Sequence, residues 1–209
     1  PASITKVMTS YIIAEALENG IIRNDDMVLI SRKARQQPGS RMFVEENSNV
    51  SVENLVKGLI IQSGNDAAVA LAEHLSHSEE AFVMKMNEKA AELGLHNTHF
   101  ENTSGLPHPE HLTTAYDLAV LSRALIKNYP EHYKIYAQRS FTWNNITQNN
   151  RNTLLWEDSS VDGIKTGHTN SAGYSLASSA VRNDFRVIAV VLGADSESYR
   201  QRVSRELLN

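Results

Sequence analysis

The pattern of apolar and polar positions changes once along this chain, near residue 139. Before that point apolar residues recur at steps of three and four, which is the period of an amphipathic helix. A Ser or Thr that can cap a helix precedes several of these segments, and a glycine follows two of them. Helices are therefore predicted over residues 4–19, 52–62, 66–76, 79–93 and 115–128.

After residue 139 the period shortens to the two-residue alternation of β-strands. Strands are predicted over residues 140–146, 163–169, 174–181 and 185–192, and a closing helix over 196–208. Asn183-Asp184 is predicted to form a tight turn between the last two strands. Residues 27–50 and 95–112 are predicted to be irregular. A helical block followed by an antiparallel meander indicates an α+β fold rather than alternating βαβ units.

Composition narrows the function classes only slightly. The 209 residues, of which 41% are hydrophobic and 21% charged, suit one globular domain without a linker or repeat. The net charge of -4 does not indicate a nucleic-acid-binding protein, because such proteins usually carry an excess of basic residues. No run of 18 apolar residues occurs, so no membrane-spanning helix is predicted. The absence of cysteine excludes disulfides, thiol catalysis and cysteine-ligated metals.

Ser3 and Lys6 are the first candidate catalytic pair. They lie three residues apart at the start of a predicted helix, so both side chains project from one face. A serine hydroxyl is a weak nucleophile until a base removes its proton, and a lysine can be that base when burial or a nearby cation lowers its pKa. The helix N-terminus would favour a developing oxyanion. A capping serine beside a surface lysine is the ordinary alternative for an isolated S-x-x-K pattern.

A second candidate motif, Ser63-Gly64-Asn65, lies between two predicted helices. A hydroxyl and an amide at this turn could relay a proton and hold a substrate carbonyl. The alternative is a plain turn between two helices, with Gly64 in the left-handed conformation. The motif by itself does not decide between these two interpretations.

The third motif, Lys165-Thr166-Gly167, lies in a predicted strand. Because side chains alternate along a strand, Lys165 and Gly167 share one face, and Thr166 and His168 share the other. Gly167 could let a ligand backbone run beside the strand, and Lys165 could attract a carboxylate and lower the pKa of Lys6. The alternative is a solvated lysine on an edge strand.

The three motifs together have the order S-x-x-K, S-x-N and K-T-G, which is typical of penicillin-binding proteins and class A β-lactamases. The chain resembles the low-molecular-mass penicillin-binding proteins, which are D-alanyl-D-alanine carboxypeptidases of the penicillin-binding protein 5 and 6 type and serine peptidases of the S11 kind. In that family the middle motif is usually Ser-Gly-Asn, so Gly64 favours a carboxypeptidase over a β-lactamase. The resembling stretches are Pro1–Tyr11, Gln62–Ala67 and Val161–Thr169, together with Asn102–Leu106 and Asn150–Asn152.

This resemblance implies a penicillin-binding or β-lactamase-like transpeptidase fold, an antiparallel sheet packed by helices. A single catalytic domain would cover residues 1–209, with an all-helical lobe over roughly 20–138 inserted between the nucleophile helix and the strands of 139–209. Family members place about two strands before the nucleophile, and only two residues precede Ser3 here. We therefore expect a sheet that lacks its N-terminal strands and has an open edge. The family also has a C-terminal β-rich domain and an amphipathic membrane anchor, and we expect neither of them within residues 1–209.

The resemblance also implies a role for each motif residue. Ser3 would attack the carbonyl between the two terminal D-alanines of a peptidoglycan stem peptide, with Lys6 as general base and Ser63 in the proton relay. Backbone N–H groups of Ser3 and His168 would form the oxyanion hole. The substrate-binding residues would be Asn65, Lys165, Thr166, Gly167, His168, Arg151 and Arg200. No metal or cofactor is implied, β-lactams would acylate Ser3, and the full-length protein would be periplasmic and held at the inner membrane by its anchor.

Three other functions share these motifs. A class A β-lactamase needs a glutamate that activates the deacylating water, usually in an E-x-x-L-N string, and no such string occurs between Asn65 and Lys165. A DD-endopeptidase that cuts cross-links would have the same three motifs. A β-lactam sensor domain would be acylated without turnover and would also keep Ser3 and Lys6. The last two alternatives remain open at this point.

A metal site is disfavoured. His96 with His99, and His108 with His111, have a spacing of three residues, but no acidic ligands lie at a useful distance along the chain. These four histidines are predicted to lie on the surface. Both tryptophans, Trp143 and Trp156, are predicted to pack in the core.

Overall fold

The structure is a computed structural model that describes every residue from Pro1 to Asn209. The elements before residue 134 are α1 Thr5–Glu18, β1 Met27–Leu29, α2 Arg32–Arg35, β2 Asn49–Ser51, α3 Val52–Ile61, α4 Asn65–Ser76, α5 Glu79–Leu93, α6 Ala115–Asn128 and α7 Pro130–Tyr133. The remaining elements are β3 Ser140–Trp143, β4 Ile146–Asn149, α8 Leu154–Glu157, β5 Val161–Thr169, β6 Gly173–Arg182, β7 Phe185–Ala194 and α9 Glu197–Leu208. Two 3-10 turns cover Ala2–Ile4 and Lys134–Ala137. The predicted α+β class is confirmed.

α1 is the central helix of the molecule. Eleven of its 14 residues are buried, and it packs against α3, α4, α5 and α6. Its apolar side chains belong to a core of 39 buried residues that these helices share. A helix that is packed on all sides in a dense interior cannot shift without moving several neighbours. The residues at its start are therefore held in a fixed position.

The helix boundaries agree closely with those that capping residues predicted. The hydroxyls of Ser51, Ser78, Thr114 and Ser196 each accept a hydrogen bond from a backbone N–H three residues later. Such caps satisfy N–H groups that have no partner within the helix. None of the helices is long and apolar enough to cross a membrane.

The main sheet has three antiparallel strands in the order β5-β6-β7, so β5 and β7 are its outer strands. Asn183 and Asp184, with φ of 49° and 66°, connect β6 to β7 as predicted, because two left-handed residues make the hairpin turn that matches strand twist. α9 packs on β6 and β7. A second, smaller core lies on this side of the sheet and contains Leu154, Leu155, Val161, Leu176, Ala180, Ala189 and Leu208.

Three predictions of local structure are wrong. The strand predicted over 140–146 is interrupted at Asn144-Asn145, both with positive φ, which turn the chain from β3 into β4. Residues 27–50 are not irregular throughout, since β1 pairs with β2 and α2 lies between them. Elements of three or four residues are too short to show a period. Trp156 is 45% exposed, whereas Trp143 packs partly buried against the main core.

Candidate active site

The Ser3 hydroxyl and the Lys6 amine meet at the start of α1. Ser3 lies in the 3-10 turn Ala2–Ile4 that leads into the helix, and Lys6 is the second residue of α1. Residues three positions apart project from the same face of a helical segment. Ser3 Oγ and Lys6 Nζ are 2.8 Å apart.

Lys6 is held in an environment that favours its neutral form. The residue is 1% exposed, and its amine donates a hydrogen bond of 2.9 Å to the carbonyl oxygen of Ser104. Burial lowers the pKa of Lys6 well below its ordinary value, and the nearby cations Lys165 and Arg151 lower it further. A neutral amine next to Ser3 can accept the hydroxyl proton, so this pair has the chemistry of an activated nucleophile.

Two glycines let the backbone approach the Ser3 turn from both sides. Gly105, at φ +95°, lies so close to the Ala2 carbonyl that a Cβ atom would overlap it. A Cβ atom on Gly167 would lie 3.1 Å from the Ser3 nitrogen. This approach places the Ser3 backbone beside β5, where the oxyanion hole was expected. The hole itself stays a prediction.

The middle motif adopts a strained turn. Ser63 has φ of 55°, the left-handed region that a serine rarely adopts, whereas Gly64 has φ of -68°. The alternative with Gly64 as the left-handed residue is therefore wrong. Gly64 is needed for space, since a Cβ atom there would lie 2.9 Å from Asp66 Oδ1. Ser63 is 2% exposed and its Oγ has no hydrogen-bond partner in the protein. Strain of this kind is concentrated at functional sites.

Asn65 and Asp66 hold a loop over the start of α4. Asn65 Nδ2 donates to the Pro38 carbonyl at 2.7 Å. Asn65 was predicted to line the cleft, but it is not among the lining residues. The Asp66 carboxylate accepts hydrogen bonds from the backbone N–H groups of Met42, Phe43 and Val44. Asp66 was not among the predicted site residues. It could have been identified as an acidic residue in the first turn of a predicted helix, directly after the middle motif.

Lys165 is the second buried lysine of the site. It is 4% exposed, and its amine donates to the Thr166 carbonyl at 3.1 Å and has no carboxylate partner. Burial lowers the pKa of Lys165 to about 7, and Arg151 and Arg200 contribute to the shift. Its neighbours Thr166, Gly167 and His168 line the cleft, whereas Lys165 itself is buried and is not part of the lining.

Two arginines make this end of the cleft electropositive. Arg200 is 3% exposed and its Nε has no protein partner, while its Nη2 lies 3.5 Å from the Glu197 carboxylate. Arg151 Nη1 donates to the Ser40 hydroxyl at 2.8 Å. A guanidinium with unused donors is well suited to bind a carboxylate.

His168 lies in the cleft, as predicted. Its Nδ1 donates to the Gly173 carbonyl at 3.1 Å, and its ring stacks on Tyr174 with centroids 3.9 Å apart. The ring is thereby held at the end of β5 in a fixed orientation.

The cleft has a volume of about 550 Å³ and brings together residues from all three motifs. It was not predicted that Ser40, Tyr174 and Glu197 would contribute. The lining residues are Ser3, Ser40, Ser63, Asn149, Asn150, Arg151, Thr153, Thr166, Gly167, His168, Tyr174, Glu197 and Arg200.

Among the four histidines that were predicted to lie on the surface, one is buried. His96, His99 and His108 are exposed, whereas His111 is 6% exposed and bonded to Thr5. That part of the prediction is wrong, because the segment after Gly105 folds back onto α1. No group of three His, Asp or Glu residues in the structure is arranged to hold a metal ion.

The structure is similar to solved structures of penicillin-binding proteins and D-alanyl-D-alanine carboxypeptidases. The chain superposes on the crystal structure of the D-alanyl-D-alanine carboxypeptidase DacD from Francisella tularensis with a TM-score of 0.98 and 38% identity, covering 100% of this chain and 63% of that one. It also matches penicillin-binding protein D2 from Listeria monocytogenes in its cefotaxime-bound form, with a TM-score of 0.88 and 30% identity over 99% of this chain and 85% of that one. The fold is thus that of the penicillin-binding DD-peptidases.

Sequence comparison narrows the class to one family. The family Peptidase S11, described as D-alanyl-D-alanine carboxypeptidase, matches residues 1–196. The D-alanyl-D-alanine carboxypeptidase DacD of Escherichia coli strain K12 is 49% identical over 215 residues, which cover 100% of this chain and 55% of the relative. The chain therefore belongs to the S11 peptidase family. It spans about half the length of the curated relatives that it matches.

Proposed function

We propose that this chain is the catalytic part of a serine D-alanyl-D-alanine carboxypeptidase, which removes the terminal D-alanine from peptidoglycan stem pentapeptides. The observation that carries the proposal is the buried Lys6 amine, 2.8 Å from the Ser3 hydroxyl at the edge of an open cleft. The family description and the relatives named as carboxypeptidases support the choice of reaction.

The proposed reaction has two steps. Ser3 Oγ attacks the carbonyl carbon of the penultimate D-alanine while Lys6 takes the hydroxyl proton. The C–N bond then breaks, and a proton is delivered to the leaving D-alanine amine. Ser63, with its unpartnered hydroxyl in the same cleft, can carry that proton from Lys6. Water hydrolyses the resulting ester of Ser3 and frees the shortened peptide.

The basic end of the cleft would hold the carboxylate of the terminal D-alanine. Arg200 has unused donors, Lys165 has no anionic partner, and Thr166 lines the same cleft as Ser3. β-Lactams also carry a carboxylate next to a reactive carbonyl, so we expect them to acylate Ser3. The cefotaxime-bound structure of the Listeria relative supports this expectation. Because peptidoglycan lies outside the cytoplasmic membrane, the full-length protein would act in the periplasm.

Intact mass after incubation with benzylpenicillin tests the nucleophile. We expect one adduct per chain on the unsubstituted protein and on the Ser159→Ala control, in which an exposed serine is replaced. Ser3→Ala should give no adduct although it is folded. An adduct on Ser3→Ala would contradict the assignment.

Turnover separates the proposed function from its alternatives. Release of free D-alanine from a stem pentapeptide supports a carboxypeptidase. Cleavage of a cross-linked dimer in preference to the pentapeptide would indicate a DD-endopeptidase. A permanent adduct with no D-alanine release would indicate a sensor domain.

A further inference from the structure

A loop outside the three motifs is bound along the start of α1. This segment, residues 101–111, lies between α5 and α6 and does not belong to either helix. Three polar contacts connect it to the first two turns of α1. They are Thr5 Oγ1 to His111 Nε2 at 2.7 Å, Lys6 Nζ to the Ser104 carbonyl at 2.9 Å, and Thr9 Oγ1 to the Thr103 carbonyl at 2.7 Å.

The hydrogen bonds of His111 determine which ring nitrogen carries the proton. Nδ1 accepts the backbone N–H of Glu101 at 2.8 Å, so the proton of the neutral ring is on Nε2. Nε2 therefore donates to the Thr5 hydroxyl. Burial lowers the pKa of His111 to about 4, which keeps the ring neutral near pH 7. The ring also packs edge-on against Phe100, at 5.7 Å between centroids. His111 thus connects the first residue of the segment to the first residue of α1.

The segment supplies one partner of the Lys6 amine. Its turn is fixed by Asn102, whose Oδ1 accepts the N–H groups of Ser104 and Gly105, and this turn points the Ser104 carbonyl at Lys6. A neutral amine has two N–H groups and one lone pair. When one N–H is bound to Ser104, rotation of the amine is restricted, and its lone pair can be directed at the Ser3 hydroxyl 2.8 Å away.

We propose that His111 is a positioning residue for acylation, which holds segment 101–111 against α1 so that the Ser104 carbonyl orients the Lys6 amine toward Ser3. The proposal rests on the proposed function, because it assigns His111 to the acylation step. His111 does not line the cleft and so does not contact substrate there. Loss of its bridge to Thr5 should therefore slow acylation without weakening the initial binding of a ligand.

A matched pair at Thr5 tests the hydroxyl directly. Thr5→Val keeps the volume and removes the acceptor, whereas Thr5→Ser keeps the acceptor. Stopped-flow acylation with a fluorescent penicillin separates the acylation rate constant from the preceding dissociation constant. We expect Thr5→Val to acylate about tenfold more slowly, as loss of one buried hydrogen bond implies, with an unchanged dissociation constant. Thr5→Ser should acylate within about twofold of the unsubstituted protein, because it retains that bond.

A second variant and a spectroscopic measurement keep the inference falsifiable if Thr5→Val folds poorly. His111→Gln retains an N–H donor toward Thr5 but lacks the rigid acceptor for Glu101, and we expect it to slow acylation in the same way. Nitrogen-15 NMR of the ring should show a neutral His111 with its proton on Nε2. A proton on Nδ1 would overturn the inference alone, and so would acylation at the unsubstituted rate by Thr5→Val or by His111→Gln. If the unsubstituted, folded protein is not acylated, the proposed function fails and the inference fails with it.

Discussion

The start of α1 and the middle of β5 each bury a lysine beside the same cleft, but the two amines have different partners. Lys6 lies between two oxygen atoms, those of the Ser3 hydroxyl and the Ser104 carbonyl. Lys165 is bound only to the carbonyl of its neighbour Thr166, with two arginines close enough to lower its pKa further. The protein itself supplies both partners of the Lys6 amine. The Lys165 amine has no anionic partner that would neutralise its charge.

This difference indicates two functions for one residue type. A general base must be neutral and aimed at its proton before substrate arrives, so its partners belong to the protein. A residue that holds a carboxylate gains its partner only when the ligand binds, and until then it raises the energy of the folded protein. Substitutions that remove one amine at a time should separate these two functions.

Replacing the base should have the largest effect. Lys6→Met keeps the length of the side chain and removes the amine, and we expect acylation by penicillin to slow about 10³-fold, as for loss of a general base. The acylation rate constant is the measurement. Lys57→Met, which removes a partly exposed lysine on α3, should acylate like the unsubstituted protein. An effect of less than tenfold for Lys6→Met would show that another group takes the Ser3 proton.

Replacing Lys165 should lower kcat/KM more for peptides with a charged C-terminus than for peptides with a neutral one. We expect Lys165→Met to lower kcat/KM for a peptide with a free terminal carboxylate by about 10²-fold, the cost of losing a charged hydrogen bond. The corresponding C-terminal amide should lose far less. The ratio of the two losses is the measurement, and equal losses on both peptides would contradict the role in carboxylate binding.

The loop over α4 should depend on Asp66. Asp66→Asn weakens the acceptor that binds three backbone N–H groups, and we expect the free energy of unfolding to fall by about 2 kcal/mol. Asp25→Asn is the matched control, since its side chain is 85% exposed, and it should change stability by less than about 0.5 kcal/mol. Urea unfolding measures both. Equal stabilities would show that the loop is held by other contacts.

The pH dependence of ligand binding should report the titration of Lys165. Its pKa is lowered to about 7 in the folded protein, so the amine is charged below that pH and increasingly neutral above it. Binding can be measured without acylation in the Ser3→Ala variant. Its affinity for a carboxylate ligand should fall by up to about tenfold for each pH unit above 7. Lys165→Arg stays charged, so it should remove this dependence. A flat profile for the Lys165 protein between pH 6 and 9 would contradict the prediction.

The lowered pKa of Lys165 also makes the stability of the folded protein depend on pH. Stability should rise with pH, whereas the affinity for a carboxylate ligand should fall. Between pH 7 and the ordinary pKa of a lysine, the unfolded chain binds a proton at Lys165 that the folded protein does not. Stability therefore rises with pH across that window, from this group alone.

The helices with apolar stripes were predicted within one or two residues, because periodicity and caps are properties of neighbouring positions. The structure places α6 at Ala115–Asn128 and α5 at Glu79–Leu93, as predicted. The short pair β1 and β2 was missed because it joins residues 20 to 24 positions apart, such as Met27 and Ser51. Nothing in three residues of sequence indicates such a pairing.

The three motifs and their order can be read from the sequence, and so can the position of the first at the start of a helix, of the second between two helices and of the third in a strand. The contact between the Ser3 and Lys6 side chains was predictable because the two residues are three positions apart, so local geometry brings them together. No local pattern indicates that Ser104, 98 positions away, supplies the second partner of Lys6, or that His111 is buried against Thr5. Those contacts exist because helix packing folds segment 101–111 back onto α1. Packing depends on the shape of the whole core, which no local pattern contains.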